Sequence, residues 1–310
     1  TLIVMPGAVA LAKADFNTVC QAALMQCKTL GDRFAIFDVK AGANEKDTIQ
    51  DFRDGVGNND LAYGAAYHPY LQTALNHQYE EKGVKVGAGD TAPTLDTLKS
   101  SDTALYNQVK KALSDQRVVM PPSAAIAGIY ARVDRERGIW KAPANVSLSA
   151  VIAPTTQITH EWQESLNVDA TSGKSINAIR AFTGKGILIW GGRTLAGNDN
   201  EWRYVNVRRL FIMIEESAKK STSFAVFEPN DASTWLKVKG MLESYLYGLW
   251  EQGALQGSKP EQAFYVNVGL GKTMTPQDIL EGRMIVEIGI AAVRPAEFIV
   301  LRFSHKLAEA

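Results

Sequence analysis

The spacing of apolar positions changes from segment to segment, and each spacing predicts an element. Thr1 to Met5 is a short apolar run that reads as a buried strand. Phe16, Val19, Cys20, Ala23, Leu24 and Cys27 then recur at helical spacing, which predicts a helix with Asp15 as its N-cap. Phe34 to Val39 is a second strand, and strand, helix, strand in that order makes a βαβ unit with a parallel pair. Helical patterns follow at Thr48 to Val56, Thr94 to Leu113 and Ser123 to Arg137, with strands at Leu61 to Tyr67 and Ser147 to Ile152. This part of the chain is therefore expected to be α/β. Glu80 to Pro93 is rich in glycine, lysine and acidic residues without any period, as in a surface excursion or disordered loop that the core does not need. Ile187 to Trp190 is a short strand closed by Gly191 and Gly192. The turn-rich Gly197 to Asn200 then places a domain boundary, giving domains of 1–196 and 197–310.

Beyond that boundary the order changes. Helices are expected at Val207 to Lys220 and Ser233 to Gln252, a strand at Ala263 to Val268, and a short helix opened by Thr275 and Pro276. Two long strands close the chain. In Arg283 to Val293, Met284, Val286, Ile288 and Ile290 share one face. In Glu297 to Ser304, Phe298 and Val300 point one way and Ile299, Leu301 and Phe303 the other, so the strand needs cover on both sides. Its period fits a central strand of its own fold and a strand donated to a partner equally well.

Composition narrows the classes of function. The 310 residues are 46% hydrophobic and 21% charged, enough for one large domain or two. Lys plus Arg and Asp plus Glu each number 33, so the cationic excess that a nucleic-acid backbone rewards is missing. No stretch approaches the roughly 20 apolar residues that cross a bilayer. Neither nucleic acid nor membrane is expected as a partner. Cys20 and Cys27 stand about 10 Å apart on a helix, too far to bridge, and read as reduced core residues suited to a bacterial cytosol. The chain starts at Thr1 inside an apolar run, so a longer or processed encoded N-terminus is expected.

Candidate chemistry is sparse. Gly271-Lys272-Thr273 and Gly173-Lys174-Ser175 look like the end of a phosphate-binding loop, but Val266 and Val168 occupy the position of its earlier glycine, which favours plain turns. His68, His77, His160 and His305 are scattered without zinc-site spacing. Glu215 and Glu216, or Asp199 beside Glu201, fit solvated faces and caps better than an acid–base pair. Arg132, Asp134, Arg135, Glu136 and Arg137 alternate in sign like a salt-bridged interface or helix end. No catalytic, metal-binding or cofactor-binding residue is assigned.

A resemblance carries the reading further. RYVNVRRLFIMIEES, FAVFEPND and LYGLWEQGAL, between Arg203 and Leu255, resemble the C-terminal region of contractile tail sheath proteins of bacteriophages, R-type pyocins and extracellular contractile injection systems. AFYVNVG and TPQDILEGRMIVEIGIAAVRPAEFIVLRF continue the likeness, and PPSAAIAGIYARVDRERGIWKAPAN and INAIRAFTGKGILIWGGRTL extend it upstream over nearly the whole chain.

The resemblance implies a subtilisin-like α/β domain followed by a smaller α+β C-terminal sheath domain ending in paired strands. It does not bring protease chemistry. No histidine precedes a glycine, and neither a Gly-Thr-Ser nucleophile segment nor an Asp-Ser/Thr-Gly segment is present. It implies a structural subunit, not an enzyme, that polymerises around an inner tube and contracts to drive it through an envelope. The partners would be other copies of itself, the inner tube protein, and baseplate and terminal cap proteins, with assembly in the bacterial cytoplasm into a virion or phage-tail-like particle. Sheath subunits usually also carry an N-terminal arm that adds a strand to a neighbour's sheet, and no such arm is expected within these 310 residues. The intersubunit strand is placed at Phe298, Ile299, Val300, Leu301, Arg302 and Phe303. A two-polypeptide type VI secretion sheath and, in a different class, an α/β enzyme are the alternatives.

Overall fold

The first apolar run and the helix after it form as their periods predict. In the computed structural model, which describes residues 1–89 and 91–298, β1 (Leu2–Val4) lies parallel to β2 (Phe34–Asp38), with α1 (Lys13–Leu30) between them. α1 buries Phe16, Cys20, Ala23, Leu24 and Cys27 on one face. Its N-cap is Ala12, without a side-chain bond, and Asp15 lies instead in the first turn, where a carboxylate favours the positive helix end. Gly31, at φ +69°, closes the helix in the left-handed conformation that glycine adopts without strain.

The chain continues through α2 (Glu45–Gly55), β3 (Gly64–His68) and β4 (Leu71–Asn76). The strand expected from Leu61 begins only at Gly64, because Leu61–Tyr63 form a 3₁₀ turn. The single helix expected over Thr94 to Leu113 is two, α3 (Leu95–Ser101) and α4 (Thr103–Asp115), divided where the Asp102 carboxylate accepts the Leu105 amide at 2.9 Å. Residues 80–93 carry more order than their composition suggests. Val84 and Val86 pack on Leu95, Leu98 and Tyr106, and Glu81 accepts from the Tyr106 hydroxyl and the Lys110 ammonium at 2.9 Å each.

Next come β5 (Arg117–Met120), α5 (Ser123–Arg137), β6 (Val146–Ser147), β7 (Val151–Pro154), α6 (His160–Asn167), β8 (Ile176–Phe182) and β9 (Gly186–Ile189). The strand expected over Ser147 to Ile152 is divided between β6 and β7, with Ala150 at φ +57° between them. The main sheet runs β1-β2-β3-β8-β9-β6, parallel through β8 and antiparallel beyond. β5-β4-β7 forms a separate antiparallel sheet. Every residue of β2 and β3 is buried, as befits central parallel strands covered on both faces. Asp38 at the end of β2 caps α5, accepting the Ser123 amide at 2.6 Å and hydroxyl at 2.5 Å. Asn177 of β8 bonds Ala66 O at 3.1 Å and Arg193 O at 2.8 Å. All these elements except the end of α5 belong to one compact unit, Thr1–Ala131 with Pro143–Asn200.

A second unit comprises Arg132–Ala142, including the end of α5, and the residues from Glu201 on. It contains α7 (Val205–Ser221), α8 (Ala232–Glu251), α9 (Pro260–Ala263), β10 (Phe264–Val268), α10 (Pro276–Leu280) and β11 (Val286–Ile290). Asp231 caps α8 by accepting the Thr234 amide, and Thr275 with Asp278 forms a capping box on α10. The core is Leu210 and Ile214 of α7 against Val238, Leu242, Leu246 and Leu249 of α8. Met284, Val286, Ile288 and Ile290 cover it with the single face their alternation predicts, and Ile139 and Trp140 pack there too. Among the described residues no helix is long and apolar enough to cross a membrane.

Candidate assembly interface

β10 and β11 form an antiparallel sheet of two strands, with Phe264 opposite Ile290, Tyr265 opposite Gly289 and Val266 opposite Ile288. Val266 and Val268 turn into the core and Tyr265 turns outward, its hydroxyl donating to Glu287 at 3.0 Å. That bond, with the carboxylate's charge, pushes the Tyr265 phenol above its ordinary range. The ring lies over Gly289, where a Cβ would stand 2.1 Å from Tyr265 Cε1, so only glycine admits this cross-strand packing. Between α8 and β10 runs a groove of about 500 Å³, lined by Lys239, Glu243 and Tyr247 on the helix side and Phe264, Tyr265 and Asn267 on the strand side. Among the described residues no third strand pairs with this sheet, so its edges offer unpaired backbone groups.

The segment after β11 is anchored by the first residues of α7. Val293 N–H reaches Ala254 O at 3.5 Å and Gln256 N–H reaches Ala291 O at 2.7 Å. The Asn206 amide spans Trp140 O at 2.8 Å and Val293 O at 3.2 Å, and the Tyr204 hydroxyl donates to Glu297 at 3.1 Å. Beside them Arg209 forks onto Asp134 with bonds of 2.9 and 2.6 Å. Arg208 stacks 4.5 Å above the Trp202 ring and donates to Glu215 at 2.9 Å. The charge-alternating cluster around Asp134 thus has an intramolecular task. Tyr204 and Asn206 carry no period or motif of chemistry, and only their place within RYVNVRR drew notice to them.

Of the expected intersubunit residues, Phe298 is described: it is 68% exposed and, like Glu297, lies outside any strand in the single chain. Ile299, Val300, Leu301, Arg302 and Phe303 lie outside the described residues. The glycine-lysine tripeptides are structural. Thr273 donates to Ile285 O at 2.6 Å, Lys174 is buried and donates to Arg53 O, and Ser175 donates to Asn167 O at 2.5 Å. Glu215 pairs with Arg208 and Glu216 with Lys220. His68 is buried at the end of β3, His160 is exposed beside Glu164, and His305 lies outside the described residues. Among the described residues no three His, Cys, Asp or Glu groups gather as a metal site. Cys20 and Cys27 are free and buried, and burial pushes their thiols up to about 12 and about 11.

Residues 1–195 match the phage tail sheath protein central domain, and residues 197–306 match the phage tail sheath C-terminal domain. The chain belongs to the phage tail sheath family. This sheath chain is 22% identical over 196 residues to the tail sheath protein of Vibrio phage KVP40, covering 61% of itself and 27% of that relative. It spans well under half of that protein's length. Its fold is similar to a chain of the PVC sheath complex of an extracellular contractile injection system in the contracted state, with a TM-score of 0.71 and 37% identity over 91% of this sheath chain and 68% of the other. A chain of the contracted baseplate of the anti-feeding prophage gives a TM-score of 0.76 at 30% identity, covering 98% and 69%. The mixed α/β architecture is thus shared with known sheath structures.

Proposed function

We propose that this chain is a structural subunit of a contractile sheath, that it polymerises around an inner tube, and that it has no enzymatic activity. The observation that carries the reading is the two-stranded β10–β11 sheet with its unpaired edge beside the α8 groove. An open edge beside a groove that mixes aromatic and charged side chains suits an added strand, whose backbone completes the ladder. The donor is the Glu297 to Ser304 segment of a neighbour, with Phe298, Ile299, Val300, Leu301, Arg302 and Phe303 as its pairing residues. Tyr204 and Asn206 hold the root of that segment so that it leaves the unit at a set place.

Burying an apolar side chain contributes about 1.5–3 kcal/mol, and ordering a residue costs about 1–2 kcal/mol, so each linkage is weak alone. Many linkages together make a cooperative cylinder. Contraction draws on a difference between two packings of rigid subunits, with the exchanged strands as hinges. The remaining partners are the inner tube, baseplate and cap proteins. Assembly takes place in the bacterial cytoplasm and yields a virion or a phage-tail-like particle. The domain division at 196/197 and a subtilisin-like character for the first domain belong to the same proposal.

Negative-stain electron microscopy of the chain, alone and with an N-terminal extension, tests the reading. Hollow tubes from the extended protein are expected. Absence of tubes from both, even with an inner tube protein present, would sink it.

A further inference from the structure

One face of the β8–β9 hairpin gathers a cation and two aromatic rings. Alternation puts Arg180 and Phe182 of β8 on the same side, and Trp190 joins them through its amide bond to Ala178 O at 2.8 Å. The Arg180 guanidinium carbon stands 5.2 Å from the Phe182 ring centre, and the Phe182 and Trp190 rings are 4.6 Å apart. Gln163 of α6 accepts one Arg180 N–H at 2.5 Å and donates to Trp190 O at 3.1 Å. All four side chains are partly buried. Arg180 has no ion pair among the described residues; its Nε–H is buried without an acceptor, while its Nη2 makes no hydrogen bond and is not buried. A guanidinium fixed over aromatic rings with donors unspent is completed by a carboxylate from outside.

The connection between α7 and α8 presents the complementary chemistry. Ala225 is buried and roots the loop in its own unit. Pro229, Asn230 and Asp231 are committed to the fold: Asp231 accepts from Thr234 N–H at 3.0 Å and donates its own amide to Pro229 O, while Asn230 donates to Arg283 O at 3.0 Å. Between them Phe227 is fully exposed, at 103%, and sits at φ +68°, a left-handed conformation that a bulky aromatic rarely adopts. Glu228 beside it is exposed, and its carboxylate has no bond or ion pair among the described residues. An aromatic ring and an acid are thus held out to solvent in a strained loop, a pattern that marks functional sites.

We infer that the Phe227–Glu228 tip of one copy docks on the Arg180–Phe182–Trp190 site of another, with Glu228 on the guanidinium and Phe227 against the rings. Opposite charge and matching aromatic character on the same polypeptide select a second copy as the occupant. A contact between two different surfaces is head-to-tail, and repeated it builds an open helical array. The inference rests on the reading of the chain as a self-assembling sheath subunit.

Charge reversal in the full-length protein tests it. Glu228→Arg and Arg180→Glu are each expected to lower tube yield at least about tenfold, with the circular dichroism of the unassembled subunit unchanged in both and its melting temperature unchanged in Glu228→Arg; the double variant restores tubes. Arg180→Gln, which removes the charge without adding an acid, gives the same loss with less risk to folding. If the parent protein forms no tubes, the sheath reading itself fails. If the parent forms tubes and the single variants do as well, or the double variant stays defective, the docking is wrong. Loss of inner-tube binding by Glu228→Arg with self-assembly intact would likewise overturn it, placing the tip on the tube.

Discussion

Two buried titratable side chains make opposite demands on pH. Asp38 is 3% exposed, and burial pushes its carboxyl up to about 6 against the opposing bonds from Ser123. Its folded form therefore favours the acid. The associated stability is complete below the ordinary carboxylate value and fades as pH rises through 6, on the order of 3 kcal/mol in all. His68 is also 3% exposed, and burial lowers its imidazole while Glu45, 3.6 Å away, acts in the other direction. Its folded form favours the neutral ring, so its contribution is present above the ordinary histidine value and is lost as pH falls below it. Asp38→Asn, which keeps an acceptor for Ser123, is expected to flatten the decline of stability between pH 4 and 7. His68→Gln is expected to flatten the decline below about pH 6.5. Urea midpoints measured across pH check both, and an unchanged profile in either variant refutes that assignment.

Among the elements, the β10–β11 hairpin depends on one missing side chain. Gly289→Ala brings a methyl group against the Tyr265 ring and is expected to cost about 1–3 kcal/mol, with Tyr265→Ala in the same chain recovering part of it. Thermal melts of the two variants decide this. The face that β11 turns to the core was legible in advance, since Met284, Val286, Ile288 and Ile290 alternate strictly, and α5 runs from Ser123 to Arg137 as its spacing predicts. β8 was not read as a strand. Its buried Asn177 breaks the apolar run, and only the carbonyls of Ala66 and Arg193, distant in sequence, make that amide admissible in a core. The helix break at Asp102 and the packing of Val84 and Val86 escaped for the same reason: a local period does not reveal a cap or a distant partner. At the candidate interface Asn206 and Tyr204 gain meaning only from what they hold, the backbone of Val293 and the carboxylate of Glu297.

For the whole molecule, the sheath proposed above would store its energy in packing and need no nucleotide. ATP or GTP with magnesium is expected to leave the melting temperature unchanged, and assembled tubes are expected to shorten without either. A clear nucleotide-dependent stabilisation would return the enzyme reading to contention. The family match runs along both parts of the chain. The second unit, however, is not continuous in sequence: it draws Arg132–Ala142 from the middle of the chain. Asp134 precedes its partner Arg209 by 75 residues. At about 5–20 residues per second a ribosome delivers that partner roughly 4–15 s later. Throughout that interval Ile139 and Trp140 have emerged without the core they pack against. The nascent chain thus carries a hydrophobic segment awaiting its complement, and a gene fragment starting at Glu201 encodes a unit with part of its own interior missing.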